Sequence, residues 1–562
     1  MNFFILNSPY KGTASCDFCP DDMIDFQFTT GARACECVAS TSVYHHLCSA
    51  KQTIETCNPD DWDAMKKITN PYEYIHTSIP GHKYSVSRFK PLSRSFYKMI
   101  EIIKQCKLFP VTYRPHPGTQ STSGADGELS SIRRRDYRPP YHYAHHYNHN
   151  NHGSHSQYPP HSQSHHSCYY NQNQNQKKQA YGENGFYKQQ QPQEPQLDTI
   201  DASTASMELH VTTTATATAT TRTTTTTTTT TTITPTETAL LPTSPDAIRS
   251  FHLAEGPGGF IEALCYIRSN PNDVYYGMTL VDETANSACP GWKKSRLFLD
   301  RNPSVKLEHG KDGTGNLLSL DNYLHCCEKY RHSMDFITAD GGFDFSSDFN
   351  HQEVLAQTLV VSEVLYAVSL QKPGGTFVLK IFDLFTRVTV DIVHLLAALY
   401  TDVIIFKPNT SRVANSEKYI VCKGFKVQPQ SAGAQMVEAF SAFFRELDRR
   451  SKGKDQQQAR DECAESVDDV VPAAPISIGA ILRSTSLHKL HLIHRIEEVN
   501  AILGQHQIEN IINTVALIHG KSADRVESYK KNHIQKCIEW CERYNIPYNK
   551  HAVSPNPFIS TP

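Results

Sequence analysis

Between residues 249 and 430, short apolar runs alternate with longer stretches of helical period. SFHLAE, VYYGMTL, DFITAD, GTFVLKIF, DVIIFKP and KYIVCKGF have the length and the β-branched or aromatic content of strands. GGFIEALCYIR, HQEVLAQTLVVSEVLYAVSLQ and RVTVDIVHLLAALY place apolar residues near a 3.6 period and read as helices. Strands that alternate with helices cannot pair as hairpins. The pattern therefore predicts an α/β fold with a mostly parallel central sheet and helices on both faces.

The rest of the 562 residues is less uniform. From 113 to 240 run tracts such as YHYAHHYNHNNHGSHSQ, NQNQNQKKQ and a long threonine repeat. They hold too little apolar surface to offset chain entropy, so a disordered insert is expected there. A second linker is expected near 450–470, and IENIINTVALIH and ADRVESYKKNHIQKCIEWCERYN point to a helical C-terminal region. A formal net charge of −2 gives no global nucleic-acid signature, so any RNA surface must be local. No run of eighteen apolar residues suggests a membrane span, and MNFFILNSPYKG lacks the basic lead and cleavage site of a secretory signal. The expectation is a chain that is not secreted, and 16 scattered cysteines fit a reducing compartment. Cys16 and Cys19 form a C-x-x-C, followed by Cys35, Cys37, Cys48 and Cys57, but no clean second pair completes a zinc pattern.

The turn after the first strand of the alternating region reads AEGPGGF. It lies at the carboxyl edge of the sheet, where open α/β folds bind ligands. Its spacing matches neither G-x-G-x-x-G nor G-x-x-x-x-G-K-[ST], which removes support from dinucleotide and triphosphate readings. Glu255 stands where a carboxylate can meet a cationic amino group. Asp340 ends DFITAD before two glycines, Lys380 ends the apolar GTFVLK, and Glu417 follows a loop. A lysine closing a buried strand is costly to desolvate. Set between acids, it is a candidate base with its amine held in place.

In chain order, AEGPGGF, YYGMTL, ADGG, LKIFDLFT and SRVANSEKYIVCKGFK resemble the FtsJ-like RNA 2′-O-methyltransferases. KPNTSRVANSEKYIVCKGFK is particularly similar to the eukaryotic and large-DNA-virus branch that methylates the first nucleotide of capped mRNA. The resemblance covers 249–430 and extends to 58–107 through NPYEYI and SRSFYKMIEI. It implies a Rossmann-like methyltransferase fold with an N-terminal part at 58–112 and a catalytic core at 241–430; it does not cover 113–240 or the chain after about 450. Composition and periodicity divide the rest into a cysteine-containing segment 1–57, the insert 113–240, a helix and linker 431–474, and the helical region 475–562.

The resemblance also implies a Lys-Asp-Lys-Glu tetrad at Lys98, Asp340, Lys380 and Glu417, and S-adenosylmethionine as methyl donor with no metal needed for the chemistry. The donor loop would be Glu255, Gly256, Pro257, Gly258, Gly259 and Phe260, with Asp340 beside it. Asn316 stands where relatives carry an aspartate near the adenine. Arg412 and Asn415 match the loop that touches the capped end, and Lys66 and Ser93 match further substrate contacts. The implied reaction is in-line transfer to a ribose 2′-hydroxyl. Lys380, its pKa lowered, would take the proton; Asp340 and Lys98 would position the reactants, and Glu417 would orient a lysine. Two rivals stand beside it: the same chemistry on ribosomal or other structured RNA, and a silent RNA-binding scaffold. Capping or transcription machinery would dock through the C-terminal helices. The expected compartment is the nucleus for a host-type enzyme and the cytoplasm for a viral one.

Overall fold

The computed structural model describes residues 3–7, 24–29, 37–109, 246–281, 291–342, 350–428, 436–450, 477–484 and 488–549. All of them belong to one compact unit, Met1–Tyr143 with Ala239–Pro562. The insert expected at 113–240, and Cys16, Cys19 and Cys35, lie outside the described residues.

In chain order the elements are β1 (Phe3–Asn7), β2 (Ile24–Thr29), α1 (Thr41–Glu55), α2 (Pro59–Ile68), α3 (Ser95–Gln105), β3 (Arg249–Leu253), α4 (Gly259–Arg268), β4 (Val274–Met278), α5 (Arg296–Arg301) and β5 (Val305–Glu308). Then follow α6 (Leu320–Tyr330), β6 (Met334–Ala339), α7 (Gln352–Leu370), β7 (Gln371–Ile381), α8 (Arg387–Leu399), β8 (Tyr400–Phe406) and β9 (Lys418–Phe425). The chain closes with α9 (436–450), β10 (Ser477–Leu482), α10 (Leu490–Gly520) and α11 (Ala523–Tyr544).

The eight-stranded sheet has the order β1-β8-β9-β7-β6-β3-β4-β5. β5, β4, β3, β6 and β7 are parallel; β9 runs antiparallel between β7 and β8, and β1 is antiparallel to β8. From β3 the chain builds β4 and β5 outward on one side, then returns to place β6 and β7 on the other. The order therefore reverses between β3 and β6, the place where loops diverge and leave a crevice.

Alternation along each strand feeds two cores. Phe377, Leu379 and Ile381 of β7 face one, with α6, α7, α8, α9 and the first half of α10. Val378 faces the other, with α3, α4 and α11. Helix α7 is apolar enough to cross a membrane by composition, but 78 % of its apolar window is buried in the core. In β3 the polar His252 is tolerated because both ring nitrogens are bonded, to Thr338 Oγ1 at 2.7 Å and Ser250 Oγ at 2.9 Å. Burial takes its pKa down to about 3, so it stays neutral.

The two ends of the chain differ from their expected form. FFILN, Phe3–Asn7, supplies an edge strand: Phe4 and Leu6 of β1 enter the first core. The region 475–562, expected to be helical throughout, opens with β10, which pairs antiparallel with β2. Its helices pack into the same compact unit. Leu492, Ile496, Val499 and Leu503 of α10 join one core, while Cys537, Ile538, Trp540, Cys541 and Tyr544 of α11 join the other. The chain also meets itself across the insert. Arg268 stacks over the Phe109 ring at 5.0 Å and donates to the Asp246 carbonyl.

Candidate active site

Parallel register sets the floor of the site. Leu253 pairs with Ala339, so Glu255 and Asp340 emerge together at the carboxyl edge where the strand order reverses. On the other side, Lys380 of β7 lies opposite Tyr419 of β9, which leaves Glu417 just beyond the strand end at the same edge. Helix α3 completes the group. Ser95 and Lys98 are three residues apart and share a face. Ser95 Oγ donates to Asp340 Oδ2 at 2.9 Å, and Lys98 Nζ reaches Glu417 Oε2 at 2.7 Å.

The four expected tetrad residues therefore meet, as two linked pairs. Lys380 Nζ donates to the Asp340 carbonyl at 2.6 Å and lies 3.3 Å from its Oδ1. The Tyr419 hydroxyl donates to the same Oδ1 at 2.8 Å. Burial opposes charge on Glu417, but Lys98 and Lys380 outweigh it and hold the carboxyl at about 2. Beneath it lies Lys407, whose amine donates to the carbonyls of Asn415 and Glu417. Burial first, then the neighbouring Lys418, brings that amine down to about 7.

One expectation is corrected here. The resting amine of Lys380 lies above the ordinary lysine value, not below it. Burial acts to lower it, but Asp340, Glu417 and Glu363 together prevail. Glu363, on α7, was not singled out in the sequence. Burial raises its own carboxyl to about 8, and its Oε1 accepts the Gly341 amide at 3.2 Å.

The glycine turn has the character of a ligand cradle. Gly258 has φ +103°, and a Cβ there would lie 3.0 Å from the Trp292 ring. At Gly259 a Cβ would fall 2.1 Å from Ser93 Oγ. Glu255 Oε1 takes the amides of Phe260 at 2.8 Å and Ile261 at 3.2 Å, at the start of α4. Its Oε2 is buried without a hydrogen-bond partner, as are Trp292 Nε1 and Ser93 Oγ. Burial, with Asp340 beside it, raises the Glu255 carboxyl well above its usual range. An unpaired acceptor of this kind fits a cationic amino group, which would restore its charge and its bonds. Asn316 lies on the loop after β5, where its Oδ1 accepts the Leu318 amide at 3.0 Å.

A pocket of about 100 Å³ collects three of the four expected substrate residues: Lys66, Arg412 and Asn415. It brings in Lys51, Trp62 and Gln507 as well, which the sequence reading passed over. Trp62 was accessible as a lone tryptophan in an otherwise charged helix; Gln507 left no local signal. Ser93 is not in this lining and sits instead on the glycine turn, because the chain before α3 packs against the start of α4. Arg412 is locked by two bonds to Glu73, at 3.0 and 2.8 Å, and Arg94 reaches the same carboxylate at 3.1 Å. The pocket and the tetrad share one loop: Asn415 Oδ1 accepts the Glu417 amide at 3.0 Å. Among the described residues, no group of three or more His, Cys, Asp or Glu side chains could hold a metal ion. Cys37, Cys48 and Cys57 are free thiols.

A mostly parallel sheet of this order, with a glycine turn and a buried carboxylate where the order reverses, is a Rossmann-like architecture. Residues 240–425 match the model of the FtsJ-like methyltransferase family. It is 34 % identical over 195 residues to cap-specific mRNA (nucleoside-2′-O-)-methyltransferase 1 of Drosophila melanogaster, covering 34 % of this chain and 24 % of that relative. The protein of the same name from Homo sapiens is 36 % identical over 178 residues, 31 % of this chain and 21 % of its own. That from Trypanosoma brucei brucei is 40 % identical over 140 residues, 25 % and 37 %. The chain thus spans well under half the length of these relatives. Among solved structures, a putative ribosomal RNA methyltransferase from Plasmodium falciparum aligns with 32 % of this chain and 88 % of its own, at 20 % identity and a TM-score of 0.23.

Proposed function

We propose that this chain transfers a methyl group from S-adenosylmethionine to the ribose 2′-hydroxyl of the first transcribed nucleotide of capped mRNA. The observation that carries the reading is the meeting, on one loop, of the Lys380–Asp340 and Lys98–Glu417 pairs with the pocket lined by Trp62, Lys66, Arg412 and Asn415. The names of the relatives agree with it. When bound, S-adenosylmethionine supplies an electrophilic methyl group; Glu255 and the glycine turn are the residues that would hold it.

The other roles belong to the chain. Asp340 is fixed by Ser95 and Tyr419, and it fixes Lys380 in turn. The Lys380 amine accepts the hydroxyl proton as the oxygen becomes nucleophilic. Its resting pKa is raised by the surrounding carboxylates, so acceptance requires opposing terms: exclusion of water and positive charge as the site fills. Lys98 is paired with Glu417 and positions the hydroxyl. Most of the rate gain then comes from orientation. In the pocket, the edge of the buried Trp62 lines an apolar floor, and Lys66 and Arg412 give charge for phosphates. DNA, lacking the 2′-hydroxyl, is not a substrate in this reading.

The test is transfer of labelled methyl to a short RNA, capped and uncapped, with Lys380→Ala alongside. The expected result is turnover on capped RNA alone, reduced about 10²- to 10⁴-fold in the variant while donor binding persists. Equal turnover on uncapped RNA would redirect the reading to structured RNA. Absence of turnover with donor binding intact would favour a silent RNA-binding protein.

A further inference from the structure

Among the lining residues of the pocket, Gln507 is the one that the C-terminal helices supply. Gln507 lies near the middle of α10, on its buried face between Leu503 and Ile511. Only 4 % of the residue is exposed. A leucine would suit this stripe better, because a buried amide must recover the hydrogen bonds it loses to water. Gln507 recovers them on the substrate loop: Nε2 donates to the Ala414 carbonyl at 3.0 Å and to Ser416 Oγ at 3.2 Å. The carbonyl partner requires a donor, which fixes the orientation of the amide. The two bonds bracket Asn415, a lining residue of the pocket, and stop one residue short of Glu417.

The rest of that loop is anchored from elsewhere. Glu101 accepts the amides of Asn409 at 2.8 Å and Thr410 at 2.9 Å, and Trp540 of α11 donates to Glu101 at 2.7 Å. Lys407 ties the carbonyls of Asn415 and Glu417. Helix α10 is itself held close to α1. A Cβ at Gly504 would lie 2.7 Å from Val43, so the helix approaches at a spacing only glycine allows. Gln507 is thus braced on its own helix and spends its amide on the loop.

We propose that Gln507 is a positioning residue for the 5′ end of the RNA substrate, and that the C-terminal helix α10 is a constituent wall of the pocket. Its amide holds Ala414–Ser416 so that Asn415 and Arg412 present a fixed surface to the terminal nucleotide. This rests on the function proposed above.

The test uses the full chain with Gln507→Leu and Gln507→Met, which keep the side chain's length or bulk and remove both donors. Three quantities separate the possibilities: the Kd of a fluorescent cap dinucleotide, KM and kcat on capped RNA, and the Kd of S-adenosylhomocysteine. The expected result is a rise of about tenfold in the dinucleotide Kd and the RNA KM, as two lost hydrogen bonds predict, with kcat and S-adenosylhomocysteine binding little changed. A folded variant that binds the dinucleotide as tightly as wild type overturns the proposal. So does failure of both variants to fold, which would make Gln507 a purely structural residue. A wild-type chain that neither binds the dinucleotide nor methylates any RNA overturns the function itself, a result distinct from a wild-type success with indifferent variants.

Discussion

At the scale of single residues, the site is decided by which charges share a small volume. The motif order in the sequence brought Lys98, Asp340, Lys380 and Glu417 to notice, but it was the resemblance that grouped them. Lys98 and Glu417 are 319 positions apart, and no spacing argument connects residues so distant. The sequence also misjudged the resting state of Lys380, because a pKa follows from the sum of three carboxylates in space, one of them on α7. That sum has a kinetic consequence. A base works only when unprotonated, so kcat/KM should climb with pH, its rising limb set by Lys380. Glu417 helps raise the Lys380 pKa, so Glu417→Gln should move the limb to lower pH even as it reduces the maximum rate. A pH–rate profile with the limb unmoved would mean that another group sets it.

At the scale of elements, the parallel core was legible wherever periodicity was strong. β4 and β9 fall within the apolar runs, β3, β6, β7 and β8 overlap theirs but begin one to four residues earlier, and α4, α7 and α8 fall within the helical ones. The failures were strands without local evidence. β5 has four residues, while β1, β2 and β10 pair with segments far away in the chain. Asp383, after β7, shows how such elements are joined: it meets Lys51 of α1 at 3.3 Å and Lys418 of β9 at 3.2 Å, all three buried. Burial opposes its ionisation, yet the two lysines depress its carboxyl to about 2. A depressed carboxylate contributes stability that is full above the unfolded value near 4 and is lost as pH falls through the folded value. Asp383→Asn should therefore destabilise the chain by about 3–5 kcal/mol at pH 7, by stranding two buried cations. In urea titrations the gap between variant and wild type should narrow as pH drops from about 4 toward 2.

At the scale of the whole molecule, the compact unit draws on segments far apart in the chain. Phe109 and Asp246, on either side of the expected insert, both rest against Arg268. A short Gly/Ser linker of about 10 residues is long enough for such a gap. Replacing 113–240 with one should leave the Tm and donor binding near those of the full chain; loss of either would show that the removed residues contribute to the fold. The pairing of β1 with β8 and of β2 with β10 has a consequence in time. On the ribosome, β2 emerges long before Ser477–Leu482 exists to receive it. At ordinary elongation rates that interval is roughly 20 to 90 s. A strand made early is thus among the last to find its partner, and until then its edge stays unpaired.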